Sequence, residues 1–136
     1  MNKDVALTNQ STGRAWFAGI LTWVVPGSGH LLIGKTARGL ILGGVVLLMF
    51  VLGLLLGGHL YGPHSSADIG LLAYVYGFCN LGLGLAYTVC MWAGVGVSDQ
   101  AGRATAEYGN VFLIIAGLLN YLSMLDAFDI AAGRKA

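Results

Sequence analysis

Residues 29 to 36, GHLLIGKT, satisfy the phosphate-loop pattern G-x-x-x-x-G-K-[ST] at each defined position. In a working loop that spacing lets successive backbone N–H groups cradle a nucleotide's phosphates while the lysine reaches the outer ones. A second set of reactive side chains is dispersed along the chain: His59, His64, Asp68, Asp126 and Asp129. Two imidazoles and three carboxylates are donors that could hold a divalent cation or relay protons, and Asp126 and Asp129, three residues apart, share one side of a helix. The alternative for the last two is simpler: they lie near a helix end, with Gly133 as a cap and Arg134 and Lys135 to offset their charge.

The surroundings of GHLLIGKT argue against a nucleotide. His30, Leu31, Leu32 and Ile33 fill the variable positions, where bulky side chains would crowd the anion. A phosphate loop also follows a buried strand and needs a later aspartate for Mg²⁺, and 136 residues of this composition leave no room for such an α/β domain. Hydrophobic residues make up 57% of the chain and charged ones 10%, with a mean hydropathy of +0.77. A soluble domain carries about a quarter charged residues, so this is a membrane composition. The 22 glycines agree with it, because glycine allows close approach of membrane helices. A net charge of +1, with basic residues single or paired, gives no footprint for nucleic acid. The expected surroundings are a lipid bilayer, taken to be the cytoplasmic membrane of a bacterium, with no cofactor, metal or nucleotide.

The expected architecture is an all-α integral membrane protein, a compact bundle of three spanning helices preceded by a short helix broken by proline. Residues 1–14 are polar and without periodicity, and read as a flexible tail. No A-x-A cleavage site follows Val25, so the N-terminus is expected to be retained. The bundle then covers residues 15–133, with segments at about 15–25, 36–59, 69–98 and 105–132. Pro26 ends the first of these, because it lacks an N–H and pushes Val25 out of helical geometry. Eleven residues rise only about 16 Å, so the segment either turns back or is completed by HLLIG. Gly39 to Gly58 is twenty residues without a polar side chain, enough to span. Ile69 to Val97 is uncharged over 29 residues, and Gly109 to Leu125 is interrupted only by Asn110 and Asn120.

The stretch from Trp23 to Gly39 resembles the two-transmembrane-domain family, whose members carry G-x-G-x-H, an apolar or aromatic pair, L-G-[KR] and a glycine opening the second helix. Gly27, Gly29, His30, Gly34, Lys35 and Gly39 match, while Leu32 and Ile33 stand where that family usually has aromatics. The resemblance covers about residues 15–60 and implies a helical-hairpin membrane module of unknown activity. The same residues make sense as a turn: Pro26 stops the helix, the glycines permit close approach, and Lys35 and Arg38 anchor at the headgroups. His30 is expected to find a backbone carbonyl; the alternative is a proton or ligand site near membrane depth.

In the third segment Gly82, Ala86, Cys90, Gly94 and Ser98 recur every fourth residue, a small-residue ribbon along one face of a continuous helix. It is expected to pack the bundle, or to join a copy or a larger membrane complex, so that leucine at Gly82 or Gly94 breaks assembly. Cys79 and Cys90, eleven residues apart on such a helix, are about 16 Å apart and cannot form a disulfide. If the last three segments all span, His59, His64, Asp68, Asp126 and Asp129 share one membrane face, and Lys35, Arg38, Asp99, Arg103 and Glu107 the other. A first segment that turns back adds Lys3 and Arg14 to the Lys35 face and makes it cytoplasmic. No nucleophile–base pair, carboxylate pair or cofactor fingerprint stands out, so catalysis is not expected. The function expected is structural or accessory, as a subunit or assembly factor; the alternative is a small transporter or channel component, possible as an oligomer.

Overall fold

The computed structural model describes residues 3–60, 70–97 and 102–134. Six α-helices and no strand occur among them: α1 (Lys3–Val24), α2 (Ser28–Leu32), α3 (Thr36–Leu55), α4 (Leu71–Leu81), α5 (Leu85–Ala93) and α6 (Ala106–Ala131). Among the described residues, helices α3 and α6 are long and apolar enough to cross a membrane, and the bent pair α4 and α5 makes a third crossing if it counts as one. The expectation of three clear spans is therefore corrected to two or three.

Helix α1 begins at Lys3, twelve residues before the first apolar segment, where the sequence suggests a flexible tail. Once residues 15–24 are helical, each preceding residue adds a hydrogen bond without a new nucleus, so polarity alone does not stop the helix. At its other end α1 stops before Pro26, as proline requires. The Ser28 hydroxyl sits 2.6 Å from the Leu21 carbonyl and 2.7 Å from that of Val25, and so satisfies last-turn acceptors the broken helix leaves open.

Helix α6 is the axis of the bundle, with α1, α3 and α4 packed on it. It buries Ala106, Gly109, Leu113, Ala116, Gly117, Asn120, Ser123 and Ala127. Between apolar helices in lipid the hydrophobic effect gives little drive, and close van der Waals contact must supply it. Gly117 accordingly lies directly beneath the Cys79 carbonyl, and Gly53 and Gly58 crowd the Gly109 carbonyl. Val46, Phe50, Leu60, Leu83, Tyr87, Leu113 and Ala116 fill the space between α3, α5 and α6.

The third apolar segment is not one helix. It breaks at Gly82–Gly84, and the two parts meet at 115°. Gly84 has φ +59, and a Cβ there would overlap the Trp23 carbonyl; this is a backbone shape and a contact that only glycine allows. The ribbon is thereby divided. Gly82 presses on the Gly117 carbonyl and the Tyr121 ring, but Gly94 ends α5 with φ +72 and has open space around it. Ala86 and Cys90 follow on α5, packed against the core, and Ser98 lies outside the described residues. Cys79 and Cys90 are free thiols.

Because α5 leads back, the Leu60 N–H bonds to the Gly96 carbonyl at 2.8 Å, at the end where α3 finishes. There Thr105 donates to the Leu56 carbonyl at 2.7 Å, and the His59 N–H donates to Asn110 Oδ1 at 2.7 Å. Helix α6 thus starts beside the end of α3 and runs antiparallel to it. Helix α1 comes in from the opposite end, with Trp16 edge-on to Phe128 at 5.1 Å, and α2 returns the chain toward that end.

Candidate functional site

The hairpin from α1 through α2 to α3 is built by glycine at the points of closest approach. Gly27 has φ +82, and a Cβ there would overlap the Gly39 carbonyl; one on Gly29 would overlap the Ala18 carbonyl and the Thr22 hydroxyl. Gly43 faces the Pro26 carbonyl in the same way. These contacts press α2 against both neighbours and bury His30 completely. Gly34, with φ +83, turns the chain into Lys35 and α3.

His30 does not bond a backbone carbonyl through its outer nitrogen. Its Nε2 lies 2.9 Å from Oδ2 of Asp126, 96 residues away on α6. The same carboxylate oxygen is 3.6 Å from Arg38 Nη1, at the start of α3. Three helices are thereby joined at one carboxylate. Arg134 lies 3.7 Å from Asp129, one turn further on, and its guanidinium sits 5.7 Å from the Phe128 ring centroid. Two buried atoms here lack a hydrogen-bond partner: His30 Nδ1 and Arg38 Nη1, the latter with only the longer ionic contact.

Six residues before Asp126, near the middle of α6, fully buried Asn120 makes the second polar centre. Its Nδ2 donates to the Trp23 carbonyl at 3.0 Å and the Gly82 carbonyl at 2.6 Å. These carbonyls belong to the broken ends of α1 and α4, where no further helical turn supplies a donor. Trp23 Nε1 adds a bond to the Leu81 carbonyl at 3.1 Å, which ties the first break to the second. Between the two centres Ser123 is 2% exposed, and its hydroxyl has no partner.

Beside this stripe a groove of about 740 Å³ runs between α3 and α6. Arg38, Ser123, Asp126 and Asp129 line it, and leucines and Ile41 complete its walls.

The five-residue His/Asp set is not assembled. His59 is at the far end, bonded to Asn110 through its backbone, while Asp126 and Asp129 are at the end with Lys35 and Arg38. His64, Asp68 and Asp99 lie outside the described residues. The assignment of opposite faces to Arg38 and Asp126 is thus reversed; it presupposes a straight third span, and the break at Gly84 removes that premise. Among the described residues no three His, Cys, Asp or Glu side chains come together as a metal site. Sequence reasoning reached His30, Arg38 and Asp126 separately but not their junction. For Asn120 a signal existed: an amide inside an apolar run, in a chain that Pro26 had already broken.

No curated protein and no solved structure matches the sequence. None of the comparisons supports the two-transmembrane-domain resemblance over residues 15–60. Residues 17–136 match a family of unknown function, DUF6677, and the chain belongs to that family.

Proposed function

We propose that the protein is a small multi-pass membrane module with a structural or accessory role, working through association with copies of itself or with a larger membrane complex. Asn120 carries this reading: its donors go to holding two broken helices together, which is a task of architecture. The His30–Asp126 pair likewise fastens the first hairpin to α6. On this reading the chain is not an enzyme. Arg14, Lys35, Arg38 and Arg134 lie toward one end and Arg103 toward the other, so the positive-inside rule favours a cytoplasmic Lys35 end. The test is gentle extraction of the tagged full chain, native mass spectrometry and identification of whatever co-purifies in fixed ratio. A stoichiometric larger partner or a defined homo-oligomer supports the role; a lone monomer under the mildest conditions contradicts it.

A second reading, a transporter or channel component, is favoured by one observation. Two broken segments approach mid-bundle from opposite ends, and Asn80 Oδ1, Asn120 Oδ1 and Ser123 Oγ are buried there without partners. Interrupted helices at mid-depth are a known way of presenting backbone to a solute. Solute or ion flux in proteoliposomes that falls in Asn80→Leu and Ser123→Val supports this reading; absence of flux in wild-type vesicles counts against it.

A further inference from the structure

We propose that the groove between α3 and α6 binds a zwitterionic phospholipid whose headgroup carries a primary ammonium, as in phosphatidylethanolamine. The groove changes polarity along its length. At one end stand Arg38, Asp126 and Asp129; further along, Ile41, Leu42, Leu119 and Leu122 make it wholly apolar. At about 1.5 Å per residue, Ser123 lies roughly 4.5 Å deeper than Asp126, and Leu119 roughly 6 Å deeper again. That order of charge, hydroxyl and hydrocarbon is the order of a phospholipid's headgroup, ester region and chains.

The charges select the headgroup. An anionic head would meet two carboxylates, and a purely cationic one would meet the guanidinium. A zwitterion can place phosphate on the exposed part of the Arg38 guanidinium, whose side chain is 41% exposed, and ammonium beside Asp126 and Asp129. A primary ammonium donates hydrogen bonds to those carboxylates, as a quaternary one cannot. An independent observation points to the same occupant. Ser123, a residue 2% exposed, lines the groove, and its buried hydroxyl is unpaired within the protein, which leaves a donor for an ester carbonyl. Ile41, 65% exposed, leaves the apolar wall open to the bilayer, the source of the ligand.

The experiment is native mass spectrometry of the full chain in detergent, titrated separately with phosphatidylethanolamine, phosphatidylglycerol and phosphatidylcholine of identical chains. One lost charge-assisted contact corresponds to roughly tenfold in affinity, so at least about tenfold preference for the ethanolamine lipid is expected. Asp129→Asn, which removes a carboxylate that meets the ammonium, should abolish that preference, whereas Arg38→Gln, which meets the phosphate common to all three lipids, should lower binding of each. Ile41→Trp, which fills the wall and leaves every charge in place, should lower occupancy by all three lipids while the protein stays folded. Phosphoethanolamine without chains should not displace the lipid at equal concentration. Equal binding of the three headgroups, unchanged binding in Ile41→Trp, or displacement by the free headgroup would each overturn the proposal.

Discussion

Replacing Asn120 by leucine removes the two bonds that close the breaks in α1 and α4 while keeping the same branching and number of heavy atoms. The affected acceptors are the Trp23 carbonyl at 3.0 Å and the Gly82 carbonyl at 2.6 Å. Hydrogen bonds between membrane helices average about 0.6 kcal/mol, so two of them set a lower bound of roughly 1.2 kcal/mol. Each carbonyl left buried without a donor costs about 1–3 kcal/mol, which sets an upper bound of roughly 6 kcal/mol. The upper half is expected, because both acceptors are helix ends in a packed interior and Asn120 is fully buried. Asn120→Asp should be worse still, since an ionised carboxylate turns acceptors toward acceptors. Ser123→Ala, one turn away, removes a hydroxyl with no partner in the protein and should change stability by under about 0.5 kcal/mol. Reversible unfolding in mixed micelles, followed by far-UV circular dichroism and by the fluorescence of the tryptophans, measures all three. An Asn120→Leu variant as stable as Ser123→Ala would refute the claim that this amide holds the breaks together.

Other substitutions separate turn geometry from packing. Gly82→Leu forces a side chain into the Gly117 carbonyl and the Tyr121 ring and should lose at least the roughly 3 kcal/mol of severe overpacking, whereas Gly94→Leu meets open space and should lose only the roughly 1–2 kcal/mol of a left-handed residue; thermal unfolding compares them. By the same logic Gly27→Ala, blocked by the Gly39 carbonyl, should prevent recovery of folded protein, while Gly34→Ala, with similar φ but no neighbour within 4 Å, should cost about 1–2 kcal/mol. His30→Ala leaves Asp126 with Arg38 at 3.6 Å and should destabilise by about 1–3 kcal/mol, seen as faster amide exchange in α2 than in α6.

Helix α3 is legible because twenty consecutive residues lack a polar side chain, and a proline next to three small residues marks the first break equally well. The second break is hidden by its own composition. Small residues every fourth position describe a packing face of one helix, and they also describe a chain that must bend where glycine allows. What decides between them is the Trp23 carbonyl pressed against Gly84, a contact between segments some sixty residues apart. The same separation hides the site. His30 and Asp126 are each conspicuous as ionisable groups bordering apolar runs, yet their pairing depends on which end of the bundle each helix reaches. One break misread as a span is enough to move Asp126 to the wrong end.

That topology is open to direct measurement by single-cysteine labelling in sealed, oriented vesicles, with Cys79 and Cys90 replaced by alanine and a membrane-impermeant thiol reagent. Cysteine introduced at Lys35 and at Arg134 should be labelled from the same side, and cysteine introduced at Arg103 from the other. Labelling of positions 35 and 134 from opposite sides would mean that residues 69–98 cross the membrane as a single helix, and it would contradict the junction of His30, Arg38 and Asp126 on which the account rests.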